Sequence, residues 1–479
     1  MPGFNASRTS PACELLADNA IDSTPTSGWA AQLLLDVGGA RTTGDATTRA
    51  DETSERAHLD WARSGAMALT GRADGPPVFA PAAFATATAG AVRALSALCL
   101  YPTGQKSLEA LDAPALLGEH GAAGGLERDG TTSAGGQCRI LPTSDGHIAL
   151  QLAREDDVEL LEAWLEVPRL GEAHWAFTQR EVRNRSSALC VERARLLGLP
   201  CVDAQSTPET TGEWLRLHRI ARPGTRAQAT PPLVVDLSAL WAGPLAAHLL
   251  GISGAKVIKV ESTRRPDGAR RGPAAFYNAV NAAKHSVALD FDSREGIAAL
   301  HRLIHAADIV IEASRPRALA QLGIDVHAAI AAHPGKTWLS ITGYGRDDPF
   351  GNWVAFGDDA AIAAGTSAAL HAQEGEWLFC GDALADPVTG SHAAFAAMAS
   401  HRAGGGNLLE LSLCGVTGSV LHRTGSLPSA RVHRTREGSY EIDRPEAASV
   451  RVEAPRLRND LGQTAALGAD TNSILESIA

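Results

Sequence analysis

The sequence predicts an α/β fold, a Rossmann-like parallel sheet joined to a smaller α+β unit. Three observations lead there. Short apolar runs of strand length (Leu233–Leu237, Ala255–Val260, Asp308–Glu312 and Thr337–Ile341) alternate with helical stretches, the pattern of parallel βαβ units. A separate turn, strand and helix lie upstream, near residues 138–215. A polar linker with Pro223-Gly224 and Pro231-Pro232 divides the two.

Residues 1–55 are rich in Ala, Thr, Ser and Asp without sustained periodicity, and part of this variable segment is expected to be mobile. From Asp60 to Gly104 small apolar residues predict helix, interrupted at Gly75-Pro76-Pro77. Residues 105–136 read as loop and end in Ser133-Ala134-Gly135-Gly136-Gln137. Asp145-Gly146 marks a turn, His147–Leu152 a strand and Asp156–Leu165 an amphipathic helix, with helical segments on to Leu199. Beyond the linker, Leu233–Leu237 leads into a helix with Pro244 in its first turn, where a missing N–H costs nothing. The next strand ends at Glu261, and a helix spans Arg294–Ala306. A helix over Pro387–His401 passes through Gly404-Gly405-Gly406 into strand Asn407–Leu413. The expected segments are 1–55, a first half over 56–225, and a Rossmann-like half over 226–479.

At 479 residues the chain has room for two or three domains. Its 44% hydrophobic and 20% charged content is that of a soluble globular protein. The formal charge of −11 argues against nucleic acid or an anionic membrane as partner. The apolar stretch from Leu233 to Gly254 is broken by Asp236, Pro244 and His248, so no membrane span is expected. The first residues lack a basic stretch followed by an apolar core, and the 7 cysteines are dispersed without CxxC spacing. Reduced thiols and a cytoplasmic location are therefore expected.

The βαβ unit over 233–261 offers Ala242-Gly243-Pro244 in place of G-x-G-x-x-G, which speaks against a nicotinamide site. An adenine nucleotide remains compatible, because helix N-termini beside a parallel sheet attract phosphates. There is also a weak internal repeat. Asp60 and Gly65 stand before Gly90 as Asp359 and Gly365 stand before Gly390, and each glycine interval is 25 residues. At the position four residues before the last glycine, the second copy has Asp386 and the first has Thr86.

Six ordered blocks carry a resemblance. They are Asp236-Leu237-Ser238 with Ala242-Gly243-Pro244, then Gly254–Glu261, Asn281-x-x-Lys284-x-Ser286, and Ala307–Glu312 with Arg315-Pro316. Thr342-Gly343-Tyr344-Gly345 and Asp386-Pro387-Val388-Thr389-Gly390 with Arg402-x-Gly404-x-Gly406 complete the run. In this order they resemble the class III CoA-transferases, the CaiB/BaiF type. Ser133–Gln137 is similar to the family's glycine loop and Asp145–Leu150 to the start of its small domain, but both precede the aspartate here instead of following it. The chain thus resembles a degenerate first copy joined to a second copy without its own small domain.

The resemblance implies transfer of CoA from an acyl-CoA donor to a carboxylic acid acceptor, with CoA as substrate and no tightly bound cofactor or metal. It makes Asp386 the nucleophile. A carboxylate attacking a thioester gives a mixed anhydride and then an aspartyl-CoA thioester. The start of an Ala-rich helix suits it, since the dipole there favours the ionised form, though an Asp in that place also serves as a helix cap. Gly135 and Gly136 would offer backbone amides to an oxyanion. The CoA contacts would fall on Leu240, Trp241, Ser262, Leu289, Ala313 and Ser314, with Arg264, Arg265 or Arg270 meeting phosphates. Asp382 reads as a solvated loop residue and Asp359 as structural. Asp358 stands where related acyl-CoA racemases carry His, which weakens a racemase reading. Family members are interlocked dimers, so a homodimer is expected. An α-methylacyl-CoA racemase-type isomerase and a non-catalytic acyl-CoA-binding protein are the alternatives.

Overall fold

The computed structural model of the protein describes residues 28–37, 50–167, 173–207, 213–224, 230–425, 427, 430–444, 447–459 and 462–478. Within the segment expected to be variable, residues 28–36 and 50–55 are helical, Val37 is a turn, and the rest lies outside the described residues. The helices α1 (Gly28–Asp36), α2 (Ala50–Arg63) and α3 (Phe84–Leu98) come first. Two short ones follow, α4 (Pro102–Glu109) and α5 (Glu119–Gly124), where the sequence reads as loop. A small unit comes next: β1 (Cys138–Pro142), β2 (His147–Gln151), α6 (Glu155–Leu165), α7 (His174–Val182), α8 (Ser187–Leu197) and β3 (Cys201–Asp203). Its three strands form one antiparallel sheet in the order β1-β2-β3.

Strand β4 (Arg216–Arg219) returns the chain to the main sheet. The parallel run is then β5 (Leu233–Asp236), α9 (Ala242–Ile252), β6 (Lys256–Ser262), α10 (Ala274–Asn281), β7 (His285–Leu289), α11 (Arg294–Ala306), β8 (Ile309–Glu312), α12 (Pro316–Gln321), α13 (Val326–Ala331) and β9 (Thr337–Thr342). Helices α14 (Gly357–Ala363), α15 (Thr366–Glu374) and α16 (Ala385–Arg402) precede β10 (Asn407–Ser412) and α17 (Leu413–Thr424). A small antiparallel sheet of β11 (Val432–Arg434), β12 (Tyr440–Arg444) and β13 (Ala447–Arg451) leads to α18 (Thr471–Ser477).

The central sheet has the order β4-β10-β9-β8-β5-β6-β7 and is parallel except for β4. Its parallel strands are largely buried because both faces are covered. On one face α9, α16 and α3 share a core with Val234, Ile309 and Leu339. On the other, α11 turns Ala299, Leu300, Leu303 and Ile304 onto Val235, Ile258 and Val310. That helix starts where Ser293 accepts the Gly296 N–H at 3.0 Å, a side-chain cap. Helix α16 is buried on nearly every side, and its alanines let α9 and α3 approach closely. At Gly390 a Cβ would stand 2.7 Å from the Ala242 carbonyl oxygen, so only glycine fits there.

Strand order reverses between β5 and β8, which opens a crevice beyond their carboxyl ends. Ligands of doubly wound sheets bind at such switch points.

Candidate active site

Asp386 lies in the first turn of α16, yet its carboxylate does not cap that helix. It accepts the backbone N–H of Ala242, the first residue of α9, and so satisfies one of that helix's unpaired donors. Gly357 faces it from the start of α14; a Cβ at that position would sit 2.2 Å from Asp386 Oδ2. Burial first, and then the charge of Asp358, push the Asp386 carboxyl up to about 7, against the pull of the Ala242 N–H and His120. The helix start therefore does not hold this group in the ordinary carboxylate range, because the carboxyl is buried and a second carboxylate stands beside it.

Asp358, the second residue of α14, is buried and accepts the Ala383 N–H at 2.8 Å and a hydrogen bond from Ser133. Burial and the Asp382 charge raise its pKa. Asp359 accepts the Phe356 N–H at 2.6 Å and the Tyr344 hydroxyl at 3.1 Å, the structural part expected of it.

Asp382 differs from the sequence expectation of a solvated residue. Its side chain is 2% exposed, and Oδ2 lies 2.7 Å from His120 Nδ1. The turn that buries it uses Gly381 at φ 68° and Ala383 at φ 43°. The His120 ring rests against Phe276 at 4.7 Å and Trp241 at 5.5 Å between centroids. Burial lowers the His120 pKa, but the Asp382 hydrogen bond and the charges of Asp382, Asp358 and Asp386 outweigh it and raise it overall.

The glycine loop closes over this cluster. Ser133 receives the Cys138 N–H on its hydroxyl at 3.1 Å, and a Cβ on Gly135 would come within 4.0 Å of Asp382 Oδ1. Gly136, at φ 75°, gives its N–H to the Ser133 carbonyl at 2.7 Å.

Beyond the carboxyl ends of β5, β8 and β9 lies a cavity of about 240 Å³ lined by Leu240, Ala313, Ser314 and Arg315, with Arg154 reaching in from the small unit. Phe356 borders it, and the next residue, Gly357, borders the Asp386 carboxylate. Leu240 holds φ 68° with its N–H on Asp267 Oδ1 at 2.9 Å, which turns its side chain outward to 41% exposure. Trp241 turns inward to the stack beside His120. Ser262 and Leu289 are register partners at the ends of β6 and β7; the serine hydroxyl accepts the N–H groups of Arg264 and Arg265, and Leu289 is buried.

Two of the arginines expected to meet phosphates are paired with carboxylates. Arg264 binds Asp292 at 2.6 Å, and Arg270 binds Glu261 through two hydrogen bonds while lying over Tyr277. Arg265 instead belongs to a basic group with Arg154, Arg315 and Arg317. After burial, the mutual repulsion of this group lowers the Arg315 pKa. Arg154 and Arg315 carried no role in the sequence reading. Arg315 stands in a recognisable Arg-Pro block, but Arg154 reaches the cavity only through the tertiary fold. Among the described residues no group of three His, Cys, Asp or Glu side chains is arranged to hold a metal ion, and no helix is long and apolar enough to cross a membrane.

Fold and site define an α/β protein with a ligand crevice at the switch point of a doubly wound sheet and a carboxylate cluster beside it. Residues 232–441 match the sequence model of CoA-transferase family III. It is 32% identical over 212 residues to a succinate–glutarate CoA-transferase of Agrobacterium fabrum, covering 40% of this chain and 53% of that one. It is 26% identical over 259 residues to a succinyl-CoA–D-citramalate CoA-transferase of Chloroflexus aurantiacus, covering 48% of this chain and 64% of the relative. A CAIB/BAIF family protein from Brucella suis, of known crystal structure, aligns with a TM-score of 0.36 and 25% identity over 46% of this chain and 66% of that one. The chain thus spans between half and two thirds of the length of these curated relatives. His120, Ser133 and Gly135 lie outside the matched stretch, whereas the three aspartates of the cluster lie within it.

Proposed function

We propose that the protein is a CoA-transferase that moves CoA from an acyl-CoA thioester to a carboxylic acid through covalent intermediates on Asp386. The observation that carries this reading is the placement of Asp386. Its carboxylate is recessed at the N-terminus of α9, faced by a glycine and one residue away from the switch-point cavity. An Asp386 oxygen attacks the thioester carbonyl carbon, the C–S bond breaks, and CoA leaves as thiolate. The thiolate then attacks the aspartyl carbonyl of the mixed anhydride and expels the donor's carboxylate, leaving an Asp386–CoA thioester. The acceptor carboxylate runs the same two steps in reverse. The Gly136 N–H is committed to the loop's own turn, so Gly135 is the amide the loop can offer to an oxyanion without unfolding. The basic group around Arg315 suits the phosphates of CoA. The names of the relatives make succinyl-CoA the first donor to try, with glutarate and citramalate as acceptors. With this reading go a cytoplasmic location, the division at residues 55 and 225, and a homodimeric state.

The test is intact-mass spectrometry of wild type and Asp386→Asn after incubation with an acyl-CoA panel led by succinyl-CoA. The expected result is an adduct on the Asp386 peptide that hydroxylamine removes and the variant lacks. CoA binding without any adduct across the panel would identify a non-catalytic binder, and solvent deuterium entering the donor's α-carbon without an acceptor would identify an isomerase.

A further inference from the structure

A second residue of the nucleophile site comes from the first half of the chain. His120 sits at the start of α5, 262 positions before the aspartate that holds its Nδ1 at 2.7 Å. The ring is clamped between that bond and the aromatic faces of Trp241 and Phe276, so its orientation is fixed. We propose that His120, buttressed by Asp382, is a positioning residue that holds a charge beside the carboxylate cluster and so favours the ionised form of Asp386 for attack. This rests on the reading of Asp386 as nucleophile.

The charges facing the cluster make the case. Helix α14 contributes Asp358, the turn before α16 contributes Asp382, and α16 contributes Asp386. Beside His120 on α5 stands Glu119, which Arg458 holds through two hydrogen bonds of 2.5 and 2.9 Å. Helix α10, packed against α5, brings Tyr277, whose hydroxyl is turned to Glu261, and the turn Ala113–Gly118 brings no titratable side chain. Among the described residues around α5, His120 is therefore the basic group whose pKa the three aspartates raise, since Arg458 is committed to Glu119. Burial and the neighbouring carboxylate charges already push the Asp358 and Asp386 carboxyls up, and a fixed compensating charge favours their ionised forms. An imidazolium tied to Asp382 supplies it at a fixed place, and a buttressed ring loses no orientation as the substrate enters.

Two measurements test this. The rate of Asp386 adduct formation is followed from pH 5.5 to 9 in wild type and His120→Gln. The expected result is a midpoint moved upward by about one pH unit, hence a loss of about tenfold at pH 6, with rates converging above pH 8.5. A uniform loss at every pH with an unmoved midpoint would make His120 a mere structural support. The second measurement needs neither a donor nor a variant at position 120. In wild type labelled with 13C in its Asp carboxyls and 15N in its imidazoles, the signals of Asp386 and His120 are titrated together. Asp386 is assigned by its loss in Asp386→Asn, and His120 by its shift in Asp382→Asn. His120 is expected to remain cationic past the Asp386 midpoint; a ring already neutral below it would overturn the proposal. Because this titration is independent of turnover, a protein with no adduct but the expected ring charge would reject the transferase reading alone.

Discussion

On the proposed reading of Asp386 as nucleophile, its carboxylate must be charged yet poorly solvated, and these demands conflict with stability. The group's pKa is about 7 in the folded chain, above the ordinary carboxylate value, because burial and Asp358 oppose its charge. In the unfolded chain it ionises at about 4. Below that pH both states hold the proton and nothing is lost. Between about 4 and 7 the unfolded state has released a proton that the native state retains, so the native fold loses ground as pH rises. Above 7 the full penalty remains. Asp386→Asn, which keeps the shape and removes the charge, should therefore unfold at higher urea than wild type at pH 8, with the gain shrinking toward pH 4. Urea midpoints at the two pH values check this; an equal effect at both would mean that the carboxyl is not strained by its charge. At this scale the sequence was informative only where neighbours in space are neighbours in the chain. Asp386 stands in a contiguous Asp-x-x-Thr-Gly block, whereas His120 is one histidine of 16 with no spacing to mark it, and Asp382 looks solvated until the turn around Gly381 folds it inward.

Elements place these residues, and the contact between α9 and α16 matters most. Gly390 lets the two axes close until the N–H of Ala242, six residues beyond the end of β5, reaches Asp386, one turn before Gly390 on the facing helix. A methyl group at position 390 would meet the Ala242 carbonyl oxygen at 2.7 Å and the Leu245 Cβ at 3.2 Å. Backbone cannot yield as a flexible side-chain tip does, so Gly390→Ala should move α9 away. We expect a loss of about 1–3 kcal/mol in urea unfolding, the usual cost of overpacking. Adduct formation should fall further than that destabilisation accounts for, because the amide donor leaves the nucleophile. An unchanged midpoint and rate would show that another contact sets the spacing. The central elements were legible because each has an apolar pattern of its own length: α11 was expected at Arg294–Ala306 and is found there. The elements that escaped lack such a pattern. Helices α4 and α5 carry Pro102, Gly104, Gly121 and Gly124, residues of low helix propensity that packing overrides. Strand β4 is a largely exposed Arg-Leu-His-Arg, and the sheet of β11, β12 and β13 buries little beyond Ile442.

Across the whole molecule the two copies suggested by the sequence pack helix against helix. Helix α3, with Thr86 where α16 has Asp386, packs directly on α16 inside a single core, and Arg402 donates to the Leu98 carbonyl at 3.0 Å to tie their ends. The Thr86 hydroxyl donates to Asp60 at 2.9 Å, so the position that matches Asp386 in the repeat holds a closed hydrogen bond. The first half instead supplies His120, Ser133 and Gly135 to the carboxylates of the second. This arrangement brings the proposed nucleophile and these neighbours together within one chain. The family expectation of interlocked dimers leads elsewhere, since a site shared between subunits would join His120 of one to Asp386 of the other. Co-expression decides between them. When His120→Gln and Asp386→Asn chains carry different tags and mixed dimers are isolated, sites built within one chain each retain one defect. Adduct formation should then stay at the level of the His120→Gln chain alone. Sites built across the dimer would pair both wild-type residues in one of the two sites and restore up to about half of the wild-type amplitude, as symmetry requires. Recovery of that amplitude at pH 6 would mean that the halves fused in this chain are exchanged between partners, and that the contacts of α5 with the Asp382 turn are made between subunits.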